Sequence, residues 1–406
     1  MTNKTKLIAA IIVASLGYFV DIYDLLLFSI VRVASLKDLG LSGMELTHTG
    51  IFLLDIQMAG MLIGGIAWGI LGDKKGRLSV LFGSILMYSI ANIANGFVTT
   101  VNGYAAWRFI AGLGLAGELG AGITLVAELM PKGKRGYATT LVASVGISGA
   151  VAAYFVSDLF HWRTSFFIGG GLGLLLLFLR IGVAESGMFT QAKTVVNRGN
   201  FLGLFRSRAN LLKYLRCILI GVPLWYVVGI LVTLSPEFGR LLGVEGEISG
   251  GMAIAWCYGG MTLGDIASGL LSQLLKSRTK VVIIFLSLAV LSISTYLFIP
   301  GISLGWFYAL CGLLGFSVGY WVIFMTIATE QFGTNIRATV TTTAPNFARG
   351  ALVPSTILFH LFTGWTGSMI TGAALVGLIL FALAFWATYG IRDTFHKDLD
   401  YLEKLD

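Results

Sequence analysis

Apolar residues run along this chain in long blocks, without the strict alternation of a strand or the single stripe of a surface helix. Each block is long enough to cross a bilayer core, which takes ~20 residues of helix. Cut at charged and turn-forming residues, the blocks predict helices over 7–35, 50–71, 78–99, 104–130, 137–158 and 164–184. After a polar tract they resume over 212–234, 249–275, 280–299, 304–331, 337–362 and 367–389. In lipid every backbone polar group must be satisfied within the span, so helices are the expected form. The expectation is an all-α membrane protein of twelve transmembrane helices. Its six-helix halves are residues 1–184 and 212–406, joined by a cytoplasmic linker over 185–211.

The halves repeat one another. Gly60-Met61-x-x-Gly64-x-Ile66-Ala67-x-Gly69 returns as Gly260-Met261-x-x-Gly264-x-Ile266-Ala267-x-Gly269, two hundred residues on. Glu128 and Arg135 return as Glu330 and Arg337 with the same spacing. Glycine coincidences alone would be weak in a chain with 53 glycines. Two blocks on nearly one offset, at equivalent places, indicate pseudo-symmetric halves, a known transporter plan.

Composition supports this and narrows the partners. Of 406 residues 56% are hydrophobic and 12% charged, against about 25% charged in a soluble domain. The net charge of +8 might suggest nucleic acid, but the bases cluster in short loops: Lys74, Lys75 and Arg77, then Lys132, Lys134 and Arg135, then Lys276, Arg278 and Lys280. This is the positive-inside pattern. It argues against a nucleic-acid partner and places both termini in the cytoplasm. Compact loops suit a bacterial inner membrane, and the chain is read as a monomer in the lipid bilayer. The first apolar run is too long for a signal h-region, carries acids and lacks a cleavage site, so it reads as a span rather than a leader. Cys217, Cys257 and Cys311 fall inside spans and imply no disulfide framework. The four histidines show no metal spacing, and no metal or cofactor is expected. Gly112-x-Gly114-x-x-Gly117 matches a dinucleotide fingerprint only as a string, because inside a helix its amides are already used.

Charges inside the spans carry the candidate chemistry, since such residues are costly in lipid. Asp21 and Asp24 lie about one turn apart on the first helix, with Asp21 ~21 Å from its inner end. Arg108 sits at a comparable depth on the fourth helix, so a pairing of either acid with Arg108 is expected. Two acids with one nearby base leave one carboxyl able to titrate. Glu118 lies near midplane with no opposite charge within a turn, as suits a proton-coupling group. Arg349, ~18 Å from the inner end of the eleventh helix, needs an anion: a substrate carboxylate or phosphate, or the internal competitor Asp265. Tyr320 and Trp321 are candidate aromatic lining residues. Trp225, Tyr226, Trp256 and Tyr258 are further candidates, and Asp55 is a candidate for an outer gate.

The loop Gly69-Ile70-Leu71-Gly72-Asp73-Lys74-Lys75-Gly76-Arg77 is a tight turn in which Asp73 can meet Arg135 and Arg77 can meet Glu128. This loop resembles the helix 2–3 signature of the major facilitator superfamily. In the second half, Gly269-Leu270-Leu271-Ser272-Gln273 is a decayed copy, with Gln273 replacing the acid. Arg108, Gly117-Glu118 and Ala127-Glu128-x-x-Pro131-x-x-x-Arg135-Gly136 are similar to the metabolite:proton symporters, and sugar porters and organic-ion transporters share part of the set. Val145-Gly146-Ile147-Ser148-Gly149-Ala150 lacks the Gly-Pro signature of drug/proton antiporters.

The resemblance implies a secondary transporter rather than an enzyme, working by alternating access. The expected cargo is a small anionic or zwitterionic metabolite taken up with protons. Glu118, Asp21 and Asp24 carry the protons in this reading, while Arg349, Arg108, Tyr320 and Trp321 meet the substrate. Asp73, Arg77, Glu128, Arg135, Glu330 and Arg337 form the cytoplasmic gate. A sugar or polyol carrier is the first alternative, and a non-transporting membrane sensor the second.

Overall fold

The computed structural model describes residues 3–118, 120, 126, 135–179, 201–395 and 401–403, and their regular structure is helical. The first half holds α1 (Asn3–Asp38), α2 (Gly43–Lys75), α3 (Arg77–Asn95), α4 (Val101–Leu115), α5 (Arg135–Ile147), α6 (Gly149–Leu159) and α7 (Trp162–Leu179). The second holds α8 (Arg208–Tyr226), α9 (Ser235–Leu241), α10 (Gly250–Leu275), α11 (Arg278–Phe298), α12 (Leu304–Ser317) and α13 (Trp321–Gln331). It closes with α14 (Arg337–Gly350), α15 (Leu352–Thr366) and α16 (Met369–Gly390).

Four pairs make single crossings with a local break. α5 and α6 meet at Ser148, α8 passes through a π-helical turn (Val227–Val232) towards α9, α12 and α13 part at Val318–Tyr320, and α14 and α15 meet at Ala351. The result is twelve crossings, which places the chain's first residues and residues 391–395 at one end, here the near end; the other is the far end. Eight described stretches are apolar and long enough to span a bilayer unaided. The others are shorter or more polar; α14, with buried Thr339, Thr341, Thr342 and Thr343, is covered by protein rather than lipid.

The sequence repeat is a packing repeat. A β-carbon at Gly60 of α2 would overlap the Phe109 carbonyl of α4, and one at Gly112 would overlap that of Gln57. In the second half, Gly260 of α10 stands in the same relation to Gly312 of α12, and Gly315 to Cys257. Backbones this close are how helices associate where no hydrophobic force drives them together.

The linker's second part is anchored. Residues Phe201–Phe205 form a 3-10 turn in which Phe201 and Leu204 are buried, and Phe201 packs edge-on to Tyr214 and near Phe347. Arg206 and Arg208 remain exposed, so the charge of this tract faces outward while its apolar residues hold it to α8 and α14.

Gly60→Val and Gly260→Val should each destabilise the protein by about 1–3 kcal/mol through overpacking, lowering the thermal midpoint in detergent by several degrees. Gly259→Val, where an added β-carbon meets nothing within 4 Å, should stay near wild type. Equal losses at 259 and 260 would contradict the close-packing account.

Candidate substrate and proton site

Polar groups between the halves fall at three levels. At the far end, Arg32 of α1 donates to Glu237 of α9 at 2.9 Å and to the Thr233 carbonyl at 3.2 Å. Thr47 of α2 donates to the same Glu237 carboxylate at 3.2 Å, and Thr356 of α15 donates to Asp55 of α2 at 2.8 Å. These bonds cross between the halves. The Arg32–Glu237 pair was not foreseen, because Glu237 belongs to a seven-residue helix that reads as loop in the sequence.

At the middle level Asp21 and Asp24 of α1 are fully buried, as is Arg108 of α4. The expected pairing takes another form. Arg108 donates a hydrogen bond to the Gln57 amide oxygen, while its guanidinium lies over the rings of Phe28 and Phe166 at 5.1 and 5.8 Å. Gln57 in turn donates to the Leu25 carbonyl at 3.3 Å. Asp24 lies in hydrogen-bond reach of the Asn92 side chain and within electrostatic reach of Arg108. A neutral amide thus takes the place that the sequence reading gave to an acid. Buried amides such as Gln57 and Asn92 give no charge signal by which to find them.

Arg349 of α14 faces the other acid. Its Nη2 lies 3.9 Å from Asp21 Oδ2, so the two halves meet through opposite charges at mid-bundle. Its Nη1 donates to Asn346 Oδ1 at 3.2 Å, while Nε and Nη2 have no hydrogen-bond acceptor among the described residues. The guanidinium carbon stands 5.5 and 5.7 Å from the rings of Trp225 and Trp321. Asn346 also reaches across to donate to the Ala116 carbonyl at 2.8 Å. That carbonyl lies where α4 ends, and a helix end leaves its last carbonyls without internal partners.

Asp265 is not the partner of Arg349. Its Oδ1 accepts from the Val322 amide at 3.1 Å, in the first turn of α13, where an anion satisfies a free N–H and meets the positive end of the helix. The break at Val318–Tyr320 creates that helix start, and the continuous 304–331 block gave no sign of it. Tyr320 turns away, donating to the Ile220 carbonyl at 2.9 Å, whereas Trp321 faces Arg349. Of the other aromatic lining candidates, Tyr226 donates to the Ala373 carbonyl at 2.7 Å, and Trp256 is 48% exposed. Glu118 is buried one turn beyond the α4 terminus.

At the near end, Glu330 lies 3.4 Å from Arg278, and Arg278 donates to Ser272 at 2.8 Å. Arg278 and Glu330 stand 201 (278 − 77) and 202 (330 − 128) residues after Arg77 and Glu128. The second half therefore shows the pairing expected of those two residues. Arg337 is buried, with Tyr401 in electrostatic reach, and Thr339 of α14 donates to the Gly69 carbonyl of α2 at 3.4 Å. Glu128 and the side chains of Asp73, Arg77 and Arg135 lie outside the described residues.

Asp393, beyond α16, caps the start of α11. Burial pushes its carboxyl up, but hydrogen bonds from Ser277, the Phe395 amide and Thr279 outweigh this and hold it below the ordinary aspartate range.

A scan against family models matches residues 10–350 to the Major Facilitator Superfamily. A putative metabolite transport protein of Haemophilus influenzae is 29% identical over 395 residues, 89% of this chain and 92% of the relative. The sialic acid transporter NanX of Escherichia coli is 29% identical over 57% of each chain. Among solved structures, the proton:xylose symporter XylE superposes with a TM-score of 0.74 at 18% identity, covering 98% of each chain. The chain belongs to the Major Facilitator Superfamily: it is an integral membrane transporter of small molecules, with two six-helix halves, and not an enzyme.

Removing half of the far-end pair should loosen that end. In Glu237→Gln, a cysteine introduced at Ile30, beside Gly251 of the other half, should react with an impermeant maleimide about tenfold faster. This corresponds to ~1.4 kcal/mol for a partly exposed pair. Unchanged labelling would show that the pair does not hold the far ends together. At the near end, a depressed carboxyl contributes stability above about pH 4, the ordinary Asp value, and loses it as pH falls through the folded-state value. Asp393→Asn should therefore show a shallower fall in thermal midpoint between pH 5 and 3; identical pH profiles would contradict the capping role.

Proposed function

We propose that the chain is a proton-coupled uptake transporter, a symporter, for a small anionic or zwitterionic metabolite. The observation that carries this reading is the Asp21–Arg349 contact. An acid of one half and a base of the other face each other in the buried middle of the bundle, yet two guanidinium nitrogens lack acceptors among the described residues. A buried charge left unsatisfied is costly, and a substrate carboxylate would supply what Arg349 lacks.

The coupling follows from competition. While Asp21 is ionised it holds Arg349; once Asp21 takes a proton, Arg349 turns to the substrate anion. Substrate and proton then occupy the site together, and neither alone leaves the interior electrically balanced. Asp24, beside Arg108, and Glu118 are the further proton-carrying groups. Arg108, Tyr320 and Trp321 complete the substrate region, Trp321 in contact with the Arg349 guanidinium and Tyr320 as the support that fixes the start of α13.

Alternating access is a rocking of residues 1–184 against 212–406 about this centre, with 185–211 as the linker. The near end is cytoplasmic by the positive-inside rule, which puts both termini in the cytoplasm of a bacterial inner membrane; the chain acts as a monomer. The cytoplasmic gate comprises Asp73, Arg77, Glu128, Arg135, Glu330 and Arg337, with Arg278 added by its contact with Glu330. The relative named for sialic acid supports an anionic cargo. The fold likeness to a xylose symporter favours the second reading, a sugar or polyol carrier. In that case Arg349 serves only to bind Asp21.

Purified protein in proteoliposomes decides between them. Under an inward proton gradient, and relative to protein-free vesicles, a carboxylate or amino acid should accumulate from a panel that includes phosphate and neutral sugars. Asp21→Asn should lose gradient-driven accumulation yet retain exchange, and Arg349→Ala should weaken anion affinity by about a hundredfold. Uptake of a neutral sugar, indifferent to pH and to Arg349→Ala, would overturn the proposal.

A further inference from the structure

The surroundings of Arg349 are one-sided in their hydrogen bonding. Among the described residues the indole N–H of Trp225 and Nε and Nη2 of Arg349 have no acceptor, while the Trp321 indole lies in hydrogen-bond reach of the Tyr18 hydroxyl. The two tryptophans are 2% and 3% exposed and the arginine is fully buried, so these donors are shut off from bulk solvent. The tryptophan rings sit edge-to-face with centroids 6.2 Å apart, and Phe324 lies 4.7 Å from Trp321. Donors without acceptors thus gather on a corner built of aromatic rings. The acceptors within electrostatic reach of the Tyr18 hydroxyl in the same region belong to Asp21 and Asp265, and Asp265 is already engaged by the Val322 amide.

Resting on the anion reading above, we infer that this corner selects planar, conjugated monocarboxylates, with Trp225 and Trp321 as the specificity-determining residues. A carboxylate offers two oxygens and about four acceptor sites with no donor of its own, the complement of what the corner lacks. A hydroxyl-rich ligand brings donors that need acceptors, and each one left unmet in a buried site costs affinity. The remaining surface is aromatic, and stacking or edge contacts add ~0.5–1.5 kcal/mol beyond area burial for an aromatic ligand only. Trp225 has a double role, its N–H meeting the carboxylate and its ring the conjugated body, while Trp321, its N–H beside the Tyr18 hydroxyl, contributes its ring.

Calorimetric binding to the full-length protein in detergent at pH 6 tests this with benzoate, cyclohexanecarboxylate, glucuronate and glucose. Benzoate should bind about tenfold more tightly than its saturated counterpart and more tightly still than glucuronate. Trp225→Phe, which keeps a ring but loses the N–H, should weaken benzoate about tenfold. Trp321→Leu should bring benzoate and cyclohexanecarboxylate to within about twofold of each other. Equal affinity of the wild-type protein for benzoate and cyclohexanecarboxylate, or tighter binding of glucuronate, overturns the substrate class. If carboxylate binding still weakens as pH rises, the anion and proton reading survives that failure. Binding of glucose alone, independent of pH, overturns both. The wild-type comparison needs no variant, so a folding defect in a tryptophan mutant does not rescue the proposal.

Discussion

An ionised side chain inside a membrane protein has to find an opposite charge, and among the described residues the acid that Arg349 meets lies across the interface between the halves. Asp21 lies on the first helix of one half and Arg349 on the eleventh crossing, and their 3.9 Å separation makes them neighbours without a direct hydrogen bond. A contact of that length stabilises less than a bidentate pair and is easier to exchange for another anion. The halves are therefore held at their centre by an interaction with a ready competitor. The bonds above and below, Arg32 to Glu237 at the far end and Thr339 to Gly69 at the near end, are those that must break in turn if access alternates.

That exchange needs rigid walls. Each half supplies one through the same device: a glycine pair on its second helix lets the fourth approach until a β-carbon would overlap a carbonyl. Packing of this kind is bistable rather than elastic, so a change in charge at the centre is expressed as rocking of whole bundles. The charge chemistry, by contrast, is not repeated. At mid-bundle the first half contributes Asp21, Asp24 and Arg108, and the second contributes Arg349 between two indoles, with Asp265 held at a helix start, so pseudo-symmetry of scaffold coexists with asymmetry of chemistry.

Much of the scaffold was legible because hydrophobic block length and the glycine repeat are strong, local signals. The twelve crossings, the two halves and the burial of Asp21, Asp24, Arg108 and Arg349 could all be read in the chain. Partner choice could not, because it depends on lateral placement between helices. Arg108 turned to Gln57, a residue with no charge to advertise it, and Asp265 turned to a helix start that exists only because the tenth crossing breaks at Val318–Tyr320. Breaks of this kind, also at Ser148 and Ala351, leave no mark in an apolar run. Neither does Glu237, whose short helix is stable only against its neighbours. Asn346, which bonds both Arg349 and the buried Ala116 carbonyl at the end of α4, belongs to the same class: a small amide whose meaning comes from what lies opposite.

In the proposed cycle Asp21 and the substrate anion compete for one guanidinium, and proton coupling is the consequence of that competition. Proton uptake on substrate binding measures this directly: calorimetry of the purified protein at neutral pH, repeated in buffers of different ionisation enthalpy, counts the protons exchanged. The account requires roughly one proton taken up per anion bound by the wild-type protein and close to none by Asp21→Asn. The same proton count in both proteins, or no proton uptake by the wild type, would contradict it.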